Sequence, residues 1–129
     1  MTLKYENDIS FKVIGSAIEV HTALGGPGLL ENMYEEALVY ELKESGLKVA
    51  RQKPVPVQYK GIILSDPLRV DILVEDSVVV ECKAVEKYNT LYEAQTLTYL
   101  RLLRLRLGLV INFGARYIKN GTKRVVNGL

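Results

Sequence analysis

The segment that most constrains the fold is Arg69-Val-Asp-Ile-Leu-Val-Glu-Asp-Ser-Val-Val-Val-Glu-Cys-Lys83. Two β-branched runs flank Glu75-Asp76-Ser77, so a three-residue turn centred on Asp76 folds them into an antiparallel hairpin. That turn sets Asp71 opposite Glu81, Leu73 opposite Val79 and Arg69 opposite Lys83, all on one face. Val70, Ile72, Val74, Val78, Val80 and Cys82 fill the other face, and a one-residue slip would bury every charge. The signs are unusual: acid faces acid and base faces base, and each arrangement destabilises directly opposed residues. A hairpin selected for stability alone would cross-pair them. Two carboxylates held so close make sense around a divalent cation, with Lys83 beside a reacting water or phosphate.

The rest of the chain supplies elements to hold this hairpin. Ile9, Val13, Ala17, Ile18 and Leu24 recur at helical spacing from about Asp8 to Leu24, and Gly25-Gly26-Pro27 stops them. Leu30, Met33, Tyr34, Ala37, Leu38 and Leu42 repeat the period up to Gly46, a residue suited to the left-handed position past a helix end. Leu47 to Ala50 and Val55 to Tyr59 read as two strands before the hairpin, bounded by Lys53-Pro54 and Lys60-Gly61. Thr90 and Glu93 have capping-box spacing and start a third helix running to about Leu107. Gly108 to Gly114 reads as a strand buried on both faces, and Asn120-Gly121 as the turn of a closing hairpin. The order is ααββββαβ with a terminal hairpin, in a single domain over residues 1–129.

A length of 129 residues suits one domain and leaves no room for a second that carries a separate cofactor. With 48% apolar and 25% charged residues the chain is no disordered segment, and no apolar run reaches the roughly 18 residues of a bilayer span. The N-terminus lacks the pattern of an export signal, and the lone Cys82 has no partner for a disulfide, so a cytoplasmic location and no membrane contact are expected. Charge is distributed unevenly. Residues 1–100 hold ten Lys and Arg against 15 acids, net −5, whereas residues 101–129 hold Arg101, Arg104, Arg106, Arg116, Lys119, Lys123 and Arg124 with no acid. That block is either a solvated helix face with a basic tail or a phosphate-binding surface.

Gly28-Leu-Leu-Glu31-Asn-Met-Tyr34 matches the pattern for which the GxxExxY proteins are named, and Asp71 with Glu81-Cys82-Lys83 resembles the PD-(D/E)XK nuclease superfamily to which they belong. Glu19-Val20-His21, Gln95-Thr-Leu-Thr-Tyr99 and Ile111-Asn112-Phe113-Gly114 extend the likeness from about Val13 to Val126. The resemblance implies an α/β fold, the αβββαβ restriction-endonuclease-like sandwich with a central mixed sheet flanked by helices, here with an extra N-terminal helix and a C-terminal hairpin. It implies Mg²⁺ or Mn²⁺ bound by Asp71, Glu81, Glu31 and the backbone carbonyl of Cys82. Lys83 would then orient the attacking water and offset developing charge on the phosphate. Gln95 and Tyr99 would line the site and contact nucleic acid. Separately, if the basic block at 101–129 is a phosphate-binding surface, Arg101, Arg104 and Lys123 are the residues expected to contact phosphates. Arg69-Val70-Asp71 departs from the superfamily pattern in lacking the Pro before Asp.

Three function classes follow. The first is a divalent-metal-dependent phosphodiesterase acting on DNA in preference to RNA, for which a homodimer would supply the second site of a double-strand cut. The second is a non-catalytic nucleic-acid or partner-binding module, and the third a hydrolase of a small phosphorylated ligand. Intact Asp71, Glu81 and Lys83 favour the enzymes. His21, with no Cys or His beside it, reads as a hydrogen-bonded support rather than a zinc ligand, and Tyr34 and Tyr99 as packing residues with bonded hydroxyls. The Cys82 thiol faces the apolar side and is no nucleophile. The glycines at 25–28 lack the Gly-Lys-Ser/Thr of a phosphate loop and end a helix instead.

Overall fold

The structure, a computed structural model, describes residues 2–128. Helices α1 (Lys4–Ala23) and α2 (Glu31–Glu44) precede strand β1 (Val49–Val55), a small hairpin of β2 (Gln58–Tyr59) and β3 (Ile62–Ile63), and strands β4 (Leu68–Val74) and β5 (Val78–Lys83). Helix α3 (Leu91–Leu103), strand β6 (Leu107–Asn112), the single turn α4 (Ile118–Gly121) and strand β7 (Thr122–Val126) complete it. The main sheet has the order β1-β4-β5-β6-β7, and only β5 and β6 run parallel. Helices α1 and α2 pack on one face over Ile72, Val74, Val80, Cys82, Leu109 and Ile111, while α3 roofs Leu73, Val79 and Val110 on the other. This is the mixed sheet flanked by helices that the sequence led us to expect.

The hairpin register is the expected one: Leu73 pairs with Val79 and Val74 with Val78. Its polar face is covered by α3 at Leu73 and Val79, with Glu81 buried, Asp71 and Lys83 half-buried and Arg69 exposed. Close approach of that helix is possible because β6 carries Gly108, where a Cβ would meet the Thr96 methyl at 2.7 Å. Val70 departs from the expected apolar face and joins the core under α3. It does so where β4 leaves β5 and where Gln52 on the neighbouring strand has φ 54°, a local distortion able to re-aim side chains.

Several boundaries differ from the sequence reading. Helix α1 starts four residues earlier than Asp8, its first turn tied down by Glu6, which receives Arg106 Nη2 at 2.8 Å. The capping box does not form. Asn89 Oδ1 accepts the Leu91 N–H at 2.9 Å, and Glu93 takes the Tyr88 hydroxyl at 3.1 Å. Helix α3 ends at a left-handed Arg104, with the Leu105 N–H returning to the Leu100 carbonyl at 2.9 Å, so Leu107 belongs to β6. The expected second strand, Val55 to Tyr59, divides between the end of β1 and β2 because Pro56 interrupts it. Asn120-Gly121 is not a hairpin turn but the end of α4, where Gly121 packs against the Asn112 carbonyl. Gly46 has the expected positive φ, 83°. No helix among the described residues is long and apolar enough to cross a membrane.

Candidate active site

The β4–β5 ladder stops at Ile72–Val80, while β4 continues beside β1 as far as Leu68–Val55 and β5 beside β6 as far as Lys83–Asn112. The two strands therefore fork just beyond Ile72 and Val80, and Asp71 and Glu81 stand in the fork. Their carboxylates take the places of backbone carbonyls. Glu81 Oε2 accepts the Asp71 N–H at 2.8 Å, and Asp71 Oδ2 accepts the Cys82 N–H at 2.9 Å. Each acid thereby fixes the other's strand, and the fork replaces the direct opposition that a continued ladder would impose on two like charges. Arg69 and Lys83, expected to face each other, diverge with the strands. Arg69 Nη1 donates to the Gln52 carbonyl at 3.3 Å, and Lys83 Nζ lies 4.7 Å from the centre of the Tyr92 ring on α3.

Electrostatics set the acids apart from ordinary surface carboxylates. Burial, then the Asp71 charge, pushes the Glu81 carboxyl up to about 8, against the opposing effect of the Asp71 N–H and Lys83. Burial also raises Asp71, to about 6, opposed by the Cys82 N–H and reinforced by Glu35 and Glu31. Glu31 opens α2 at the mouth of the fork. Its carboxyl is raised by desolvation, with Lys83 pulling it down, Glu35 pushing it up and the Ala84 N–H lowering it. Burial, then the charges of Glu81 and Asp71, raises Tyr99, a half-buried residue of α3 that packs against the core beneath that helix. Asp71, Glu81, Lys83, Glu31 and Tyr99 are thus brought into one neighbourhood. Gln95 is exposed on α3, four residues before Tyr99.

The basic residues are dispersed. Lys123 pairs with Val110, which pairs with Glu81, so it shares the fork's level two strands away, and its Nζ lies 6.0 Å from the Tyr88 ring. Arg101 and Arg104 lie at the end of α3 that leads into Leu107, the opposite end of β5 and β6 from Lys83. Arg106 is engaged by Glu6, and Arg124 Nη2 donates to Asn7 Oδ1 at 2.5 Å. The Cys82 thiol is buried among the α1 and α2 contacts and raised well above its ordinary value, first by that burial.

Glu35, Arg51 and Gln52 were missed in the sequence, and Asn112 was noticed there without a role. Glu35, buried on α2, receives Arg51 Nε at 2.6 Å and Gln52 Nε2 at 3.0 Å, and the same Gln52 amide lies 3.4 Å from Asp71 Oδ1. Glu31 and Glu35 are four residues apart on one helix face, a like-charge spacing that could have marked them. With Leu30, Glu31, Arg51, Gln52 and Asp71, Glu35 lines a cleft of about 720 Å³ leading to the fork. Asn112, buried, clamps the chain leaving Lys83: its Oδ1 accepts the Val85 N–H and its Nδ2 donates to the Val85 carbonyl, both at 3.0 Å. Beneath them, His21 Nε2 lies 3.1 Å from the Phe113 carbonyl oxygen, and Tyr34 stacks on Phe113 at 4.8 Å. The Tyr34 hydroxyl donates to the Gly26 carbonyl at 2.7 Å and accepts the Leu29 N–H, holding the glycine loop before Glu31. His21 and Tyr34 are supports.

The donor set at the fork is hard oxygen, suited to a divalent cation of the Mg²⁺ kind. Two acids raised by burial and mutual proximity are the chemistry that such a charge would relieve. Among the described residues, no three of His, Cys, Asp and Glu stand close enough together to hold a metal ion. Comparisons with curated proteins and with solved structures gave no match. Residues 7–125 match the PD-(D/E)XK nuclease superfamily, whose nucleases generally use divalent metal ions. With almost the whole chain matched and the flanked mixed sheet in place, the protein belongs to the PD-(D/E)XK nuclease superfamily.

Proposed function

We propose that the fork hydrolyses phosphodiester bonds in nucleic acid, DNA in preference to RNA, using Mg²⁺ or Mn²⁺. The observation that carries this reading is the reciprocal bonding of Asp71 and Glu81 across the fork, which points two desolvated acids at one place beside Lys83. Asp71 and Glu81 would hold the cation with the Cys82 carbonyl, and Glu31, at the mouth of the fork, would reach it through a bound water. The bound cation supplies charge neutralisation at the phosphate and an activated water. Lys83, its ammonium beside the Tyr92 ring, orients the water and offsets the charge that gathers on the phosphate oxygens. Tyr99 and Gln95 border the path of the strand, and Lys123, Arg101 and Arg104 contact phosphates progressively further from the fork. Gly28, Glu31 and Tyr34 support reading the chain as a member of the GxxExxY branch of the superfamily.

Calorimetric titration of Mg²⁺ or Mn²⁺ into wild type, Asp71→Ala and Lys83→Ala tests the proposal together with cleavage of labelled oligonucleotides. Asp71→Ala should lose both metal binding and cleavage. Lys83→Ala should keep the metal while cleavage falls by about two to three orders of magnitude, the scale of losing one preorganised charge stabiliser. Cleavage that persists in both variants would defeat the mechanism. The absence of a ready three-ligand group among the described residues favours one second reading, a binding module on the same fold. That reading expects oligonucleotide binding in wild type with neither metal uptake nor turnover.

A further inference from the structure

We infer that the β2–β3 hairpin is a contact for unpaired bases beside the fork, so that the substrate presents a single-stranded or frayed end; the inference rests on the nuclease reading above. Lys60 and Gly61, with φ 47° and 84°, form the tight turn, and the Leu64 N–H closes the base of the hairpin on the Val57 carbonyl at 2.9 Å. Tyr59 pairs with Ile62 on one face of this ribbon and Gln58 with Ile63 on the other. Tyr59 is 56% exposed, Ile62 59% and Ile63 65%. Both faces of a thin blade thus offer apolar surface to water, where a hairpin serving only as a connection would carry polar side chains.

Its position and charge indicate the occupant. The hairpin is inserted where β1 and β4 end their pairing at Val55–Leu68, and Asp71 follows Leu68 by three residues, about 10 Å along an extended strand. Within a first hundred residues of net charge −5, residues 51–70 are locally basic: Arg51, Lys53, Lys60 and Arg69 against Asp66 alone. Arg51 is held by Glu35, but Lys53 and Lys60 are exposed, and Lys60 Nζ lies 5.4 Å from the Tyr59 ring. An aromatic ring with a cation beside it suits an unpaired nucleotide, the ring taking the base face and the ammonium the phosphate. A duplex hides its base faces within the stack and offers Tyr59 nothing equivalent except at its end.

The test measures binding by anisotropy, in EDTA and again in Ca²⁺, of a labelled single strand, a blunt duplex and a duplex with a single-stranded overhang. Wild type should prefer the single strand and the overhang. Tyr59→Ala should weaken those two by between about fivefold and a hundredfold while leaving the blunt duplex unchanged, and Tyr59→Phe should restore them. A 2-aminopurine in the single strand should lose its Tyr59-dependent quenching in Tyr59→Ala, and melting curves verify that each variant is folded. If wild type binds and Tyr59→Ala binds equally well, the hairpin inference is overturned and the nuclease reading stands. If wild type binds no oligonucleotide, the nuclease reading fails and takes the inference with it. A wild-type dimer that Ile62→Ser with Ile63→Ser dissociates, at unchanged oligonucleotide affinity, would make the hairpin a self-association surface and also overturn the inference.

Discussion

Glu81 and Asp71 are acids whose neutral forms suit the folded chain better than their ionised forms, and this has a measurable sign. Folded values of about 8 and about 6 lie above the ordinary 4.5 and 3.8, so between these limits the unfolded chain releases protons that the folded chain retains. Stability is greatest below the ordinary values and falls as pH rises towards about 8. Melting temperatures of metal-free protein between pH 5 and pH 8 should therefore decline more steeply in wild type than in Glu81→Gln, and Mg²⁺ should raise the wild-type value at pH 8. An equal decline in the two proteins would refute the assignment. Gln52 poses a second question at this scale, because a non-glycine residue at φ 54° pays roughly 1–2 kcal/mol for its backbone. Gln52→Gly should be more stable than Gln52→Ala by about 1 kcal/mol in denaturant titration, although both lose the amide that links Glu35 to Asp71. Gln52 is unremarkable in the sequence, since only contact with α2 and β4 gives it a role.

Helix α3 turns the polar face of a hairpin into an enclosed site, and its seat on β6 depends on the missing side chain at Gly108. Gly108→Ala should cost about 1–3 kcal/mol by overpacking against the Thr96 methyl, read as a lower denaturant midpoint. Thr96→Ser removes that methyl and keeps a hydroxyl able to donate to the Tyr92 carbonyl, so in the Gly108→Ala background it should recover part of the loss. Additive effects would mean that the helix does not bear on β6 through this pair. The hairpin itself was legible from its alternation and turn, both local properties. The capping box and the Asn-Gly turn misled because each depends on which neighbour wins a hydrogen bond: Asn89 displaced Thr90, and the Asn120 and Gly121 N–H groups both turn back to the Tyr117 carbonyl in a helical turn.

Across the whole molecule, the Arg106–Glu6 pair fastens the start of α1 to the start of β6 over a separation of 100 residues. Glu6 is buried with Oε1 unpartnered, so Arg106→Leu alone should cost about 3–5 kcal/mol by leaving an uncompensated charge. Adding Glu6→Leu should recover much of that loss in thermal or denaturant unfolding. The same engagement removes Arg106 from the basic surface. In oligonucleotide binding, Lys123→Ala should reduce the magnitude of the log K against log salt slope by about 0.9 for duplex or about 0.7 for single strand. Arg106→Lys should leave that slope unchanged, and a slope that shifts only in Arg106→Lys would reverse the assignment.

Legible in the sequence alone were the hairpin register as far as Ile72–Val80, the nearness of Asp71 to Glu81 just beyond it, the two N-terminal helices and the buried strand after Gly108. Period-two alternation, helical periodicity and turn chemistry act over a few residues and need no knowledge of partners. Tertiary structure alone decided that β4 and β5 fork at the acids, that Glu35, Arg51 and Gln52 gather behind Asp71, and that Arg101 and Arg104 lie far from Lys83. These depend on which surfaces meet once the chain closes on itself. Burial and the proximity of charges brought together from distant segments, rather than residue type, raise the two carboxyls at the fork.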